Sequence, residues 1–397
     1  MAQVTQFKKA KQRMGQDTEE YKKKIKRYRM IRATIIVAII LLIAIIAVLI
    51  YIYSKNKRYT DYEVLSAIET ENGELVEYKR YADGYLRYNN DGIEYISDKE
   101  GSVWKQSYQM RNPQVKICKD YVAVGNVTSN SIYIFDKTGL KNILDTVFPI
   151  TQVEVAAQGA VVTTLEDETS NYINMYSVKG DMIYSVKTTI SGEGYPLDIA
   201  ISEDAKKMVA SYSYMSGASL KSKVVFYNFS EVGKNEVERL VGSFNYEGAI
   251  VPNVDFIGND RVIAFSDNAL RIYDIEEYPA LNSELTLDEE VKSIVHSDKY
   301  IGLLFENANT VDKYTLKVYD FNTKNVLTHT YANDYTTIKF VDEGILLYND
   351  YNCSLINMKG KERFAYKFDL RIQNIINVSE NIYYLINSKY IQKIKLK

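Results

Sequence analysis

The sequence predicts an all-β protein: an eight-bladed β-propeller carried on a single N-terminal transmembrane helix, with a seven-bladed ring as the alternative. Three observations predict it. Residues 33–54 are 22 consecutive uncharged and mostly apolar residues, and a helix of that length spans a hydrocarbon core of about 30 Å. Beyond them a short alternating strand ending in a polar turn recurs eight times. The repeat spacing stays near 40 residues, the period of four-stranded propeller blades.

The N-terminal elements come first. Residues 1–32 hold eleven Lys or Arg against Asp17, Glu19 and Glu20, a net charge of +8, while the whole chain is −2. Positive charge is retained on the cytoplasmic side of a membrane. Residues 1–32 are therefore expected to be a cytoplasmic tail, 33–54 a single span and 55–61 a juxtamembrane linker. Residues 62–397 form the extracytoplasmic propeller, which places the protein at the cell membrane. Tyr28 on one flank, and Tyr51 and Tyr53 on the other, suit the aromatic belts of the two interfaces. A cleaved secretory signal usually has a shorter apolar region ending in small residues; here the run ends Leu49-Ile50-Tyr51-Ile52-Tyr53, which favours an uncleaved anchor. Lys22, Lys23, Lys24, Lys26, Arg27 and Arg29 form a polybasic segment beside the membrane, of the kind that attracts anionic lipids. A nucleic-acid partner is not expected, because neither a folded reader nor a long basic arm is present.

The repeat supplies the rest. Its strand copies end at Asp98, Asp136, Ser177, Asn228, Asp274, Asp320, Asn357 and Lys395, so the spacings are 38, 41, 51, 46, 46, 37 and 38 residues. Two apolar strands precede each copy, such as Val115–Cys118 and Tyr121–Val124, and an outer strand follows, such as Lys141–Val147. Gly and Asx in the intervening turns supply the positive φ of tight hairpins. The last unit provides three strands, and the strand Tyr62–Ile68 is left over. It is expected to complete the eighth blade, since closure removes exposed sheet edges.

The unit Gly92-Ile93-Glu94-Tyr95-Ile96-Ser97-Asp98-Lys99-Glu100-Gly101-Ser102-Val103-Trp104 resembles the repeat of quinoprotein-alcohol-dehydrogenase-like propellers, and the repeats are also WD40-like. The whole layout resembles an uncharacterised Gram-positive family of single-pass, membrane-anchored propellers known as a domain of unknown function. That resemblance implies topology and location and supplies no reaction. Quinone-binding members hold a cofactor and Ca²⁺ and dock their blades through repeated Trp motifs. This chain has one tryptophan, so no cofactor is expected.

A search for chemistry finds little. His296 falls at the end of an innermost strand and His329 on an outermost one, too far apart for a shared metal or proton relay. Cys118 and Cys353 lie in different blades, and a disulfide needs Cα atoms within about 7 Å, so none is expected. Glu166-Asp167-Glu168 lacks the alternating ligands and glycine of a calcium loop. Asn126-Val127-Thr128 and Asn228-Phe229-Ser230 match glycosylation acceptors. Tyrosine is abundant, at 35 residues, and supplies contact area at low entropic cost. Propeller function gathers on loops at one face, so a binding rim is expected near the fourth blade. Its candidate residues are Tyr195, Tyr212, Tyr214, Tyr246, Tyr331 and Tyr335, with Glu166 and Asp167.

These features point to a non-enzymatic interaction scaffold for cell-envelope proteins. Two alternatives stay open: a glycan or small-ligand receptor, and a carboxylate-based hydrolase or lyase with its site in the propeller funnel.

Overall fold

The computed structural model describes residues 22–23, 26–49, 57–70, 76–308 and 311–397. Residues 1–21, Lys24, residues 50–54 of the expected span, Tyr51 and Tyr53 among them, and most of the linker lie outside the described residues. Two compact units divide the chain, Met1–Arg58 and Tyr59–Lys397.

In the first unit, Lys26–Leu49 is the one described helix long and apolar enough to cross a membrane. It begins upstream of the apolar run because Lys and Arg are good helix formers, which puts Lys26, Arg27 and Arg29 on its first turns. Lys22 and Lys23 are helical as well. Thr34 is the single polar residue between Ala33 and Leu49. Its hydroxyl donates back to the carbonyl of Met30 at 2.7 Å, so no polar group in that stretch needs an outside partner.

The second unit is eight four-stranded antiparallel sheets. The innermost strands, in blade order, are Glu77–Tyr81, Pro113–Cys118, Ile150–Val155, Tyr195–Ile201, Asn253–Ile257, Val291–His296, Thr337–Val341 and Ile372–Ser379. Blades 1 to 7 each run outward in chain order. Blade 8 takes its three inner strands from Ile372–Ser379, Ile382–Asn387 and Tyr390–Leu396, and its outermost strand from Tyr62–Glu69. That strand pairs with Tyr390–Leu396 from Tyr62↔Leu396 to Glu69↔Tyr390. The count is eight, and the seven-bladed alternative is set aside.

Second strands read as continuous apolar runs, such as Ile301-Gly302-Leu303-Leu304-Phe305 and Gly344-Ile345-Leu346-Leu347-Tyr348, because neighbouring blades cover both their faces. The core is accordingly a set of eight apolar clusters, one at each seam between blades. Gly84 and Gly344 open the second strands of blades 1 and 7, where an added Cβ would stand 1.9 and 2.0 Å from the carbonyls of Ile96 and Ile356. Only glycine fits that approach.

A bulge recurs between the third and fourth strands of blades 1 to 7. The outer-strand residue beside it is Trp104, Asn142, Tyr184, Gly242, Ser283, Leu327 and Phe364 in turn. Trp104 stacks on Phe135 of blade 2, with ring centroids 4.9 Å apart and planes 4° from parallel. Docking by a tryptophan is thus made once, and the other six places carry unlike residues, with Pro279 lying against Gly242 in blade 4.

The seam between blades 7 and 8 carries a buried ion pair. Arg363 is 1% exposed, and its guanidinium lies 3.3 Å from Glu343 Oε1. Tyr59, the first residue of the propeller unit, closes over it. Its amide donates to the carbonyl of Arg363 at 2.6 Å. Its hydroxyl accepts from Arg363 Nη2 at 3.2 Å, and its ring faces the guanidinium at 5.1 Å. Burial first, then the Glu343 carboxylate, raises the Tyr59 phenol above its ordinary pKa.

Two predictions follow from this seam. Deleting residues 60–70 is expected to lower the propeller's unfolding temperature sharply, and calorimetry giving an unchanged value would refute the closing role of Tyr62–Glu69. Arg363→Met alone should cost about 3–5 kcal/mol in urea unfolding, because it strands a buried carboxylate, while adding Glu343→Leu should restore most of that loss.

Candidate functional site

Polar residues in an inner propeller strand have two destinations, the central channel or the neighbouring blade. Here one residue type after another reaches across. Lys79 Nζ donates to the Val115 carbonyl of blade 2 at 2.7 Å, and Gln114 Oε1 accepts from the Val153 amide of blade 3 at 2.8 Å. Gln152 Nε2 donates to the Leu197 carbonyl of blade 4 at 2.6 Å. Asp198 Oδ2 accepts from the Val254 amide and Asn253 Nδ2 of blade 5, each at 2.9 Å. Asp255 Oδ2 meets His296 Nε2 of blade 6 at 2.8 Å. Lys339 donates to Asn374 Oδ1 of blade 8 at 2.7 Å, and Asn374 Nδ2 donates to the Tyr78 carbonyl of blade 1 at 2.8 Å. Gln152, Asp198 and Asn374 each follow an inner-strand bulge, and bulges re-aim side chains in this way.

This ring is electrically lopsided. Lys339, Lys79 and Lys116 stand on blades 7, 1 and 2, whereas Glu154, Asp198 and Asp255 stand on blades 3, 4 and 5. Lys116 pairs with Glu154 across the second seam. Burial pushes the Glu154 carboxyl up to about 7; Lys116 offsets part of this, and Asp255 and Asp198 add to it. Burial also lifts Asp198 to about 6 against its amide donors and Lys116. Burial works against the charge of Lys116, but Glu154 first, then Asp198 and Asp255, outweigh it and hold the ammonium above its usual value. The Glu154 side chain keeps 21% of its surface open to the channel. It is nonetheless surrounded by protein, and burial is the largest influence on its charge.

The second polar region is the upper face, defined by the connections between second and third strands together with those between blades. Tyr62 pairs with Leu396, at the far end of blade 8 from the connection Ser388–Lys389. The chain therefore joins the propeller on the lower face. The described upper connections hold thirteen acidic residues against Arg111, Lys313, Arg371 and Lys389. On the lower face eighteen acidic residues are interspersed with eleven basic ones.

One element projects from the upper face. In blade 4 the strands Lys207–Ser216 and Ser219–Asn228 are ten residues each. Their inner neighbour pairs only as far as Ser213 and their outer neighbour only from Ser222. The arms 214–216 and 219–221 therefore stand beyond the sheet, around Gly217 at φ 64°. Met215 opposes Leu220 at the tip, with 64% and 50% of their surface exposed.

The sequence-derived rim is only partly assembled. Tyr195 is half-buried and its hydroxyl donates to Glu166 Oε2 at 3.2 Å, and Asp167 follows in the same loop. Tyr214 is half-buried, with the Lys223 ammonium 5.8 Å from its ring. Tyr335 is half-buried and accepts from Asn333 at 3.1 Å. Three other residues are corrected: Tyr212, Tyr246 and Tyr331 are buried at 1%, 2% and 8% exposure. Tyr212 bonds the Tyr227 hydroxyl at 3.2 Å, and Tyr246 bonds that of Tyr273 at 2.8 Å. The second and third strands of a blade are covered on both faces, so a tyrosine near the end of one, such as Tyr212, turns into a seam, and Tyr246 and Tyr331 close the inward ends of their outer strands. Tyr195 and Tyr214 belong to blade 4, whereas Tyr331 and Tyr335 lie at the seam of blades 6 and 7, so one continuous Tyr rim is not formed.

The channel residues were missed. Their signal was one charged side chain inside an otherwise apolar inner strand, as in Gln114-Val115-Lys116-Ile117 or Val153-Glu154-Val155. Among the described residues no cluster of three His, Cys, Asp or Glu is placed to hold a metal ion. Cys118 and Cys353 are both free thiols, in blades 2 and 7.

Fold and site define an eight-bladed β-propeller, bearing one N-terminal apolar helix among the described residues. The chain belongs to the family of unknown function DUF5711, whose model matches residues 55–396. No curated protein matches it in sequence. Among solved structures it is similar to BamB from Moraxella catarrhalis, with 12% identity, a TM-score of 0.53, and coverage of 85% of this chain and 100% of that one. It is also similar to Chaetomium thermophilum Sqt1 bound to the N-terminus of ribosomal protein L10, with 8% identity, a TM-score of 0.52, and coverage of 86% and 97%. At these identities the likeness is one of fold.

The channel charges predict a pH dependence. Glu154 and Asp198 hold protons more tightly in the folded propeller than in the unfolded chain, so their effect on stability falls as pH rises through 6 to 7. Carboxylates held below their ordinary range, such as Asp98, Asp136 and Asp204, act in the opposite sense only in more acidic solution; His329, lowered by burial, opposes within the window as a single group against two. The unfolding temperature should be higher near pH 5.5 than near pH 8, by about 1–2 °C for each kcal/mol involved in a unit of this size. Glu154→Gln should remove much of the difference, and an unaltered pH profile would contradict the assignment.

Proposed function

We propose that this protein is a non-catalytic interaction scaffold. Its helix anchors the propeller outside the cell membrane with the basic tail inside, where Lys22, Lys23, Lys26, Arg27 and Arg29 meet anionic lipid. The upper face docks a cell-envelope protein. One observation carries the reading: the face opposite the point where the chain joins the propeller bears the projecting apolar-tipped hairpin and a one-sided acidic rim. Rigid scaffolds present binding groups on loops in this way, and exposed apolar residues ringed by polar ones mark interaction surfaces.

The funnel-hydrolase reading has one observation in its favour, the elevated Glu154 and Asp198 carboxyls, since acid–base residues are tuned in that manner. Against it, Glu154, Asp198 and Asp255 are each committed to a partner on another blade, which supports a structural role. A structural Glu154 predicts that Glu154→Gln changes the pH profile of unfolding and leaves the propeller's cellular role intact. Loss of that role at an unchanged unfolding temperature would favour catalysis.

The scaffold is tested by photo-crosslinking in intact cells. A photoreactive residue in place of Tyr214 or Asp267 should give a reproducible protein adduct, and one in place of Lys137 or Lys179 on the lower face should give none. Adducts confined to the lower face would overturn the assignment. Protease added to intact cells should remove a tag at Lys397 and spare one at Met1; the reverse would refute the topology.

A further inference from the structure

The upper face has a more specific chemistry, which rests on the scaffold reading. Val209 and Val224 belong to the apolar cluster between blades 4 and 5. Met215 and Leu220 stand even numbers of residues along the same two strands, so they share the face turned toward blade 5. They continue the core face beyond the point where neighbouring chain covers it, and most of Met215 is left in solvent. Exposed paired apolar side chains at the end of a projecting hairpin are unfavourable in a free protein and favourable once covered.

What covers them is indicated by the charge on the facing loops. Glu247 follows the outer strand of blade 4, Asp267 lies in the second-to-third connection of blade 5, and Asp288, Glu289 and Glu290 join blade 5 to blade 6. All five are exposed. Lys221 answers Glu247, and Lys317 answers Glu289 at 3.3 Å. Asp288 and Glu290 form no ion pair among the described residues, so the connections on the side toward which the tip's apolar face turns keep an excess of negative charge. An anionic membrane surface would be repelled there, and so would the same face of a second copy.

We propose that the Met215–Leu220 face and the acidic rim of blades 4 to 6 bind a cationic amphipathic segment of a partner protein. Its apolar side chains cover Met215 and Leu220, and its Lys or Arg residues meet Asp267, Asp288 and Glu290. Apolar contact supplies the affinity and the rim supplies orientation and association rate.

The test uses the full-length chain in nanodiscs of uncharged lipid and three fluorescein-labelled peptides of equal length, one Leu/Lys, one Ser/Lys and one Leu/Glu. Anisotropy should show saturable binding of the Leu/Lys peptide alone. Met215→Ser with Leu220→Ser should weaken it about tenfold, consistent with partial burial of two apolar side chains. Asp288→Asn with Glu290→Gln should weaken it comparably at low ionic strength, and that difference should vanish near 0.5 M salt, where the screening length is about 4 Å. Leu140→Ser with Ile143→Ser, which removes exposed apolar groups from the outer strand of blade 2, should leave binding unchanged and serves as the folding control. Equal binding of the Ser/Lys peptide, binding of the Leu/Glu peptide, or indifference to the Met215 and Leu220 changes would overturn the proposal. So would hairpin-dependent binding to anionic vesicles or hairpin-dependent dimerisation in light scattering. Upper-face crosslinks that persist in the Met215→Ser, Leu220→Ser variant would leave the scaffold standing and remove this mode of docking. Absence of any upper-face crosslink would remove the scaffold reading itself.

Discussion

Every sheet in this propeller is apolar on both faces, so no blade can exist without two neighbours. Ring closure is the constraint on which everything else depends. An open array of eight such sheets would leave two apolar faces in water, at a cost scaling with exposed area. The chain meets the constraint at the seams around blade 8, by two devices. One is the pairing of Tyr62–Glu69 with Tyr390–Leu396, which joins the two ends of the propeller segment in one sheet. The other is Tyr59 laid over the Arg363–Glu343 pair. Both belong to the chain immediately after residue 58. The segment that leads to the apolar helix is therefore the same segment that locks the ring.

A second closure runs around the channel. Polar side chains of the inner strands cross seven of the eight seams. Inner strands of successive blades are not hydrogen-bonded to each other by backbone, since each sheet pairs within itself. The side chains supply what the backbone omits, and they fix each blade's height and tilt against the next. That role explains an otherwise costly arrangement, in which Glu154, Asp198 and Asp255 share an enclosed space with Lys116. Direct bonds hold these carboxylates in place, Glu154 by Lys116, Asp198 by the Val254 amide and Asn253, and Asp255 by His296.

Much of this was legible in the sequence. The blade period, the turns after Asp98, Asp136 and Asp320, and the orphan strand at residue 62 define the ring, because strand alternation and Gly or Asx turns are local signals. Seam partners are not local. Tyr212 and Tyr246 look like rim tyrosines, since both flank a loop; they are core because the neighbouring blade covers the face they point to, and sequence carries no mark of which face that is. The ion pair of Glu343 and Arg363 spans blade 7 and was equally hidden. Met215 and Leu220 were hidden for a different reason. The segment Ser213–Lys221 reads as a long loop, and only the register shows two strands extended past their neighbours.

The polar residues of this propeller thus fall into two populations with opposite consequences for binding. Those of the channel are bonded to the next blade, and recruiting one to a ligand would break a contact that positions a blade. Those of the upper face sit on connections that no seam depends on, so they are free to differ in length and charge without loss of the ring. Binding energy can be accumulated only where groups are not already committed to the fold. On that argument the hairpin of blade 4 matters because it is the place where the two populations meet. It extends the apolar face of a seam, which is normally committed, into a region where no described residue covers the tip. A partner that completes that seam from outside would obtain blade-like packing on one side and the charge of the rim on the other.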